Sequence, residues 1–124
     1  MTEAVPKVLI VDDEMDICFV LSSMLRSNNV SSNYANSLAQ AEIMMKKENP
    51  SILILDNHLP DGLGVEFIDF VKHYYPAVKI VMITAHDSAS DKSLAFKKGA
   101  DYFIGKPFTI TAVRQTINTL LKSA

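Results

Sequence analysis

The chain has 124 residues, 48% hydrophobic and 21% charged, a balance that suits one compact domain rather than two. Its net charge is −2 with Lys and Arg scattered along its length, which excludes the basic stripe that neutralises nucleic-acid phosphates, so direct DNA or RNA binding is not expected. Roughly two thirds of the unfolded surface can be buried at this size, so the fold needs neither disulfides nor a structural metal, and the lone Cys18 reads as a small buried hydrophobe.

The opening segment, MTEAVPKVLIVDDE, reaches two aspartates after an apolar run too short for the core of a secretory signal. No stretch approaches the roughly 20 apolar residues of a membrane span. The expected location is therefore cytoplasmic, with no membrane partner.

Val8 to Val11 is a continuous apolar run of the kind that forms a strand buried on both faces of a parallel sheet. Beyond it, Ile17, Val20, Leu21, Met24 and Leu25 share one face of a helical period and predict the first helix. Ser32 to Ala35 is a weaker strand. Ser37 then suits the N-cap of a second helix that carries Leu38, Ala41, Met44 and Met45 and runs to Glu48, ahead of Pro50. Ile52 to Leu55 is the third strand, and a turn rich in Pro60, Asp61, Gly62 and Gly64 leads to a third helix with Val65, Ile68 and Val71, which Tyr75 and Pro76 stop. Ile80 to Ile83 is the fourth strand.

Ser88, with Asp91 three residues on, opens a fourth helix in the manner of a capping box, and Gly99 after Lys98 suits its left-handed end. The apolar content of that helix is only Ala89, Leu94, Ala95 and Phe96, so it is expected to be the most weakly anchored. Tyr102 to Ile104 is the last strand, and Ile110, Val113, Ile117, Leu120 and Leu121 form the stripe of the last helix. Strand and helix alternating in this way predict an α/β fold, a doubly wound (βα)₅ domain over residues 1–124 with a folded core of about 7–121. In the flavodoxin-like strand order 2-1-3-4-5, ligands bind beyond the carboxyl ends of the strands, near the switch point between the first and third.

Asp12 and Asp13 follow the first predicted strand, Asp56 the third, Thr84 the fourth and Lys106 the fifth. Taken singly each has an ordinary reading: Asp12, Asp13 and Glu14 as the acidic first turn of a helix, Asp56 as a turn residue, Thr84 and Lys106 as loop surface. Together they converge on one cleft. Two carboxylates about 4 Å apart repel by about 4 kcal/mol at an effective dielectric of 20, so three call for a compensating cation. Few hard oxygen ligands, with room left for water and a phosphate, suit Mg²⁺ better than zinc.

At this point the sequence resembles the receiver domains of two-component response regulators, the CheY-like superfamily. The resemblance runs from Lys7 to about Leu121 and rests on KVLIVDDE, ILILDNHLPDGLG, VMITA and KKGADYFIGKPF, in order and correctly spaced. It implies that Asp56 accepts a phosphoryl group from a phosphohistidine on a sensor histidine kinase or phosphotransfer protein. Asp13 would then bind Mg²⁺ directly, Asp12 largely through water, and the backbone carbonyl of His58 would complete the protein's contacts to the metal. Thr84 and Lys106 would each meet a phosphoryl oxygen, and the Lys106–Pro107 bond would be cis, as is typical of such receivers. The family's switch implies that Thr84 moves inward and Phe103 rotates into the vacated space. Tyr102 is set aside because strand alternation points it to the other face. His58 and His86 occupy the two variable positions that flank the phosphoryl group and influence its lifetime.

Two other classes compete. A constitutive protein-interaction module on the same scaffold has no reason to keep carboxylates clustered. Haloacid-dehalogenase-like phosphatases need a second acid two residues after the nucleophile, where this chain has His58. The expectation is a phosphoacceptor that passes its signal to a downstream effector or effector domain, and not a turnover enzyme.

Overall fold

The computed structural model describes residues 6–122. Uninterrupted apolar runs become the strands that lie inside the sheet: β1 (Lys7–Val11), β3 (Ile52–Leu55) and β6 (Lys79–Thr84). The more polar segments, β2 (Ser31–Ala35) and β7 (Tyr102–Gly105), take its edges. All pairings in this sheet are parallel, in the order β2-β1-β3-β6-β7. A two-residue-per-strand hairpin, β4 (His58–Leu59) with β5 (Gly62–Leu63), lies outside it; with that hairpin set aside, the order is the expected 2-1-3-4-5.

Among the described residues four helices connect the strands, α1 (Met15–Ser27), α2 (Leu38–Glu48), α3 (Gly64–Tyr74) and α4 (Ala89–Lys98), and α5 (Ile110–Lys122) follows the last one. Strand residues alternate between two buried layers, as a period of two requires. Leu9, Val11, Leu53, Leu55, Ile80 and Met82 face α2, α3 and α4. Val8, Ile10, Ile52, Ile54, Val81 and Ile83 face α1 and α5. Among the described residues no helix is long and apolar enough to cross a membrane.

The expected caps are present. Ser37 accepts the Gln40 amide at the start of α2, and Ser88 and Asp91 form a reciprocal capping box on α4. Gly99, at φ +122, ends α4 in a backbone conformation that side-chain-bearing residues rarely adopt. Of the α4 residues only Ala95 is buried, while Leu94 and Phe96 are exposed, so this helix is as thinly anchored as its composition predicts.

The face of α1 differs from the expectation. Its buried residues are Cys18, Leu21, Met24 and Leu25, and Val20 is exposed. Ile17 is half-buried against the same core, so the predicted stripe holds except at Val20, and Cys18 takes the buried place instead. The thiol is buried against the sheet and burial, with the nearby Asp12 charge adding to it, pushes its pKa up to about 11.

Candidate functional site

The parallel sheet brings Asp12, at the end of β1, next to Asp56, at the end of β3, because Val11 and Leu55 are paired neighbours. Asp12 and Asp56 are buried, at 3% and 7% exposure, whereas Asp13 is exposed. Thr84 is the final residue of β6 rather than the first beyond it, and it is fully buried. Lys106 follows Gly105, the partner of Thr84 in the β6–β7 ladder, and its amide donates to the Thr84 carbonyl at 2.9 Å. The Lys106–Pro107 peptide is cis.

Each sequence-predicted residue except Phe103 therefore lies at the carboxyl end of the sheet. The Lys106 ammonium stands at the centre, donating to Asp12 Oδ2 at 2.8 Å, Glu14 Oε2 at 2.8 Å and Asp56 Oδ2 at 3.2 Å. Asp56 Oδ1 accepts the Asn57 amide at 2.7 Å, and Asp12 Oδ1 accepts the Glu14 amide at 2.9 Å. The Thr84 Oγ1 accepts the His86 amide at 3.2 Å. The His58 and His86 rings are in contact, with centroids 3.6 Å apart, so the β3–α3 and β6–α4 connections meet there.

Burial drives the electrostatics. It pushes the Asp12 carboxyl above its ordinary value, opposed by hydrogen bonds from Lys106 and the Glu14 amide and reinforced by the charge on Asp56. Burial also works against the Lys106 ammonium, but hydrogen bonds to Asp12 and Glu14 and the charges of Asp12 and Asp56 outweigh it, so its pKa lies above the usual lysine value. The donor set suits a divalent cation. Asp12, Asp13 and Asp56 each bring a carboxylate oxygen, and these oxygens lie within 4.8 Å of one another. Hard oxygens with excess negative charge are the donors that Mg²⁺ takes.

Phe103 sits lower in β7, half-buried, packed against the core layer of α2, α3 and α4. Its ring centroid is 6.4 Å from that of Phe96, and the Lys92 ammonium lies 6.0 Å from it. Tyr102 is the exposed neighbour, as alternation requires.

Four residues that sequence reasoning did not assign hold the site in shape. Asn57 is buried; its Oδ1 accepts the Val65 amide and its carbonyl the Gly64 amide, which ties the Asp56 loop to the start of α3. At Gly64 a β-carbon would run into the Asp56 backbone carbonyl, so only glycine fits. Asp61, from the same loop, accepts the Leu38 and Ala39 amides at the start of α2, and these bonds lower its pKa. Glu14 reaches Lys106. The LPDGLG stretch hinted at Asp61 and Gly64, but Asn57 and Glu14 carried no local signal.

The family model described as "Response regulator receiver domain" matches residues 8–118. This chain belongs to that family, the receiver domains of two-component response regulators, whose standard role is to be phosphorylated. It is 31% identical to the response regulator protein PilR of Pseudomonas aeruginosa, over 94% of this chain and 26% of PilR. It is 33% identical to the KDP operon transcriptional regulatory protein KdpE of Escherichia coli, over 93% of this chain and 51% of KdpE. The chain thus spans about a quarter to a half of these relatives. Among solved structures it resembles the beryllofluoride-activated NtrC4 receiver domain dimer, at 37% identity and a TM-score of 0.89, covering 94% of this chain and 97% of that one.

Proposed function

We propose that Asp56 is the phosphate acceptor of this receiver and that a phosphohistidine on a sensor histidine kinase or phosphotransfer protein is its donor. The observation that carries this reading is the contact of Lys106 with both Asp56 and Asp12, which joins buried acids from two strands to one cation. Asp56 attacks phosphorus in line. As the new oxygen–phosphorus bond forms, the bond to the donor breaks, and its electron pair leaves with the donor group. Such a transition state is loose and needs alignment and charge neutralisation more than covalent help.

The Asn57 amide on one oxygen of Asp56 and Lys106 on the other fix the direction of attack. Thr84 accepts from His86, which leaves its own proton for a phosphoryl oxygen. Asp12, Asp13, Asp56 and the His58 carbonyl are the groups that would hold Mg²⁺, and the ion when bound supplies positive charge against the transferring oxygens. His58 and His86, in ring contact with each other, would govern access of water to the aspartyl phosphate and hence its lifetime.

Phosphorylation replaces the single negative charge of Asp56 with a group carrying close to two, beside Thr84 and Lys106. The response would run through Thr84 and Phe103 to α4, the helix with a single buried residue, and from there to a downstream effector or effector domain. Each transfer ends on Asp56 itself, so the chain acts as a phosphoacceptor, not a turnover enzyme. Residues from about 7 to 121 would form one such unit, working in the cytoplasm.

The test is intact-mass analysis after incubation with acetyl phosphate and Mg²⁺. One added phosphoryl group, absent in Asp56→Asn, is expected. An unchanged mass, or a label that survives in Asp56→Asn, overturns the assignment.

A further inference from the structure

An ammonium has three protons to donate, and in this site all three are taken. Two of the acceptors, Asp12 and Asp56, are already accounted for. The third is Glu14, whose carboxylate meets Lys106 at 2.8 Å from 92 residues away in sequence. Glu14 occupies the N-cap position of α1, yet its side chain makes no capping hydrogen bond, and the first-turn acid of that helix is Asp16. The helix makes no use of the Glu14 carboxylate. Lys106 does.

We infer that Glu14 is a positioning residue that restrains Lys106 and thereby slows phosphorylation of Asp56. The distances carry the argument. Lys106 sits 2.8 Å from both Asp12 and Glu14 but 3.2 Å from Asp56, so the ammonium lies closer to the β1–α1 connection than to the acceptor. The incoming phosphoryl oxygen needs one of its protons. Of the two close acceptors, Asp12 is nearly enclosed while the Glu14 side chain is 59% exposed. The exposed partner is the one that water can replace, so the Glu14 contact is the one that opens. Until it opens, Lys106 is shared with a competitor and the transferring group lacks part of its charge compensation.

This inference rests on the proposed phosphorylation of Asp56. In that step the phosphorus–oxygen bond of acetyl phosphate breaks as the bond to Asp56 forms, and acetate leaves with the electron pair.

Two substitutions separate contact from charge: Glu14→Gln removes the charge, while Glu14→Asp keeps it on a side chain one methylene shorter. Exposed ion pairs are weak, so each variant is expected to take up phosphate from acetyl phosphate and Mg²⁺ about two- to fivefold faster than wild type. In the metal-free protein the ammonium proton signals of Lys106, slowed in exchange by three carboxylate acceptors, are expected to exchange faster in both variants. A rate raised in Glu14→Gln but not in Glu14→Asp would mean a field effect alone and overturn the inference. So would unchanged or slower uptake in both, or an unmoved Lys106 signal. Failure of the wild type to acquire a phosphoryl group would instead remove the phosphoacceptor reading, and the role of Glu14 with it.

Discussion

Neutralising Asp12 is expected to stabilise the metal-free protein. Its carboxylate lies 2.8 Å from the Lys106 ammonium, an attraction of about 6 kcal/mol at an effective dielectric of 20. Against this stands Asp56, whose oxygen is within 4.8 Å and repels by about 3.5 kcal/mol on the same scale. Removing an ionised carboxylate from water costs several kcal/mol more. The two opposing effects together exceed the attraction, which is why the Asp12 pKa is raised rather than lowered.

Asp12→Asn keeps an oxygen for the Glu14 amide, so the variant is expected to gain about 1 kcal/mol at pH 7 in chelator. For a chain of this size that is about 4 °C in Tm. The sign with pH follows from the raised value. Well below 3.8, the ordinary carboxyl value, Asp12 is protonated folded and unfolded, and the variant has no advantage. As pH rises past 3.8 the unfolded carboxyl ionises first, so wild type loses stability relative to the variant up to the folded pKa. Above that pKa the deficit is constant. Mg²⁺ at ten times its Kd stabilises a binder by about 1.4 kcal/mol, and the variant, short of one charged donor, gains less. Thermal unfolding by circular dichroism across pH 3 to 8, with chelator and with Mg²⁺, measures all of this. A variant less stable than wild type at pH 7 in chelator, or an advantage already complete at pH 3, refutes the reasoning.

Gly64→Ala would drive a β-carbon into the Asp56 carbonyl and is expected to cost about 1–3 kcal/mol in urea unfolding and to slow phosphoryl uptake; an unchanged midpoint would count against the close approach. Ser88→Ala removes the α4 capping box at a cost of about 1 kcal/mol. Amide exchange is expected to quicken in residues 89–98 and not in β1 or β3, and uniform quickening would contradict local anchoring. Replacing His58 and His86 together by Ala breaks the ring contact and is expected to change the decay rate of the aspartyl phosphate severalfold. Superimposable decay curves would make both histidines bystanders.

The strands were legible because burial on both faces leaves no room for polar interruption, so β1, β3 and β6 announce themselves as apolar runs. The hairpin β4–β5 was hidden: its strands have two residues each, below any period. In α1 the spacing alone put Val20 on the buried face, and only the packed neighbours decide for Cys18. The acids and Lys106 were legible from their places at strand ends, since the parallel topology sends those ends to one side. Glu14 was not, because its local reading as a helix-start acid is chemically sound and its actual partner is brought near only by closure of the whole sheet. Asn57 was hidden for a similar reason: its acceptors matter only once Gly64 and Val65 fold back over Asp56.

The alternation of strand residues between two layers has a consequence for how a disturbance spreads. Phe103 belongs with the layer of α2, α3 and α4, whereas the next residue, Ile104, packs with α1 and α5. The sheet therefore works as a partition. Phe103 shares its layer with Ala95, the buried residue of α4, while Val113, Ile117 and Leu120 of α5 pack on the opposite side with Val81 and Ile83. Interiors this dense transmit strain through packed neighbours, and the neighbours of Phe103 lie in the α2, α3 and α4 layer. The layer that carries α4 can thus be remodelled while the layer of α1 and α5 stays packed on the other face of the sheet.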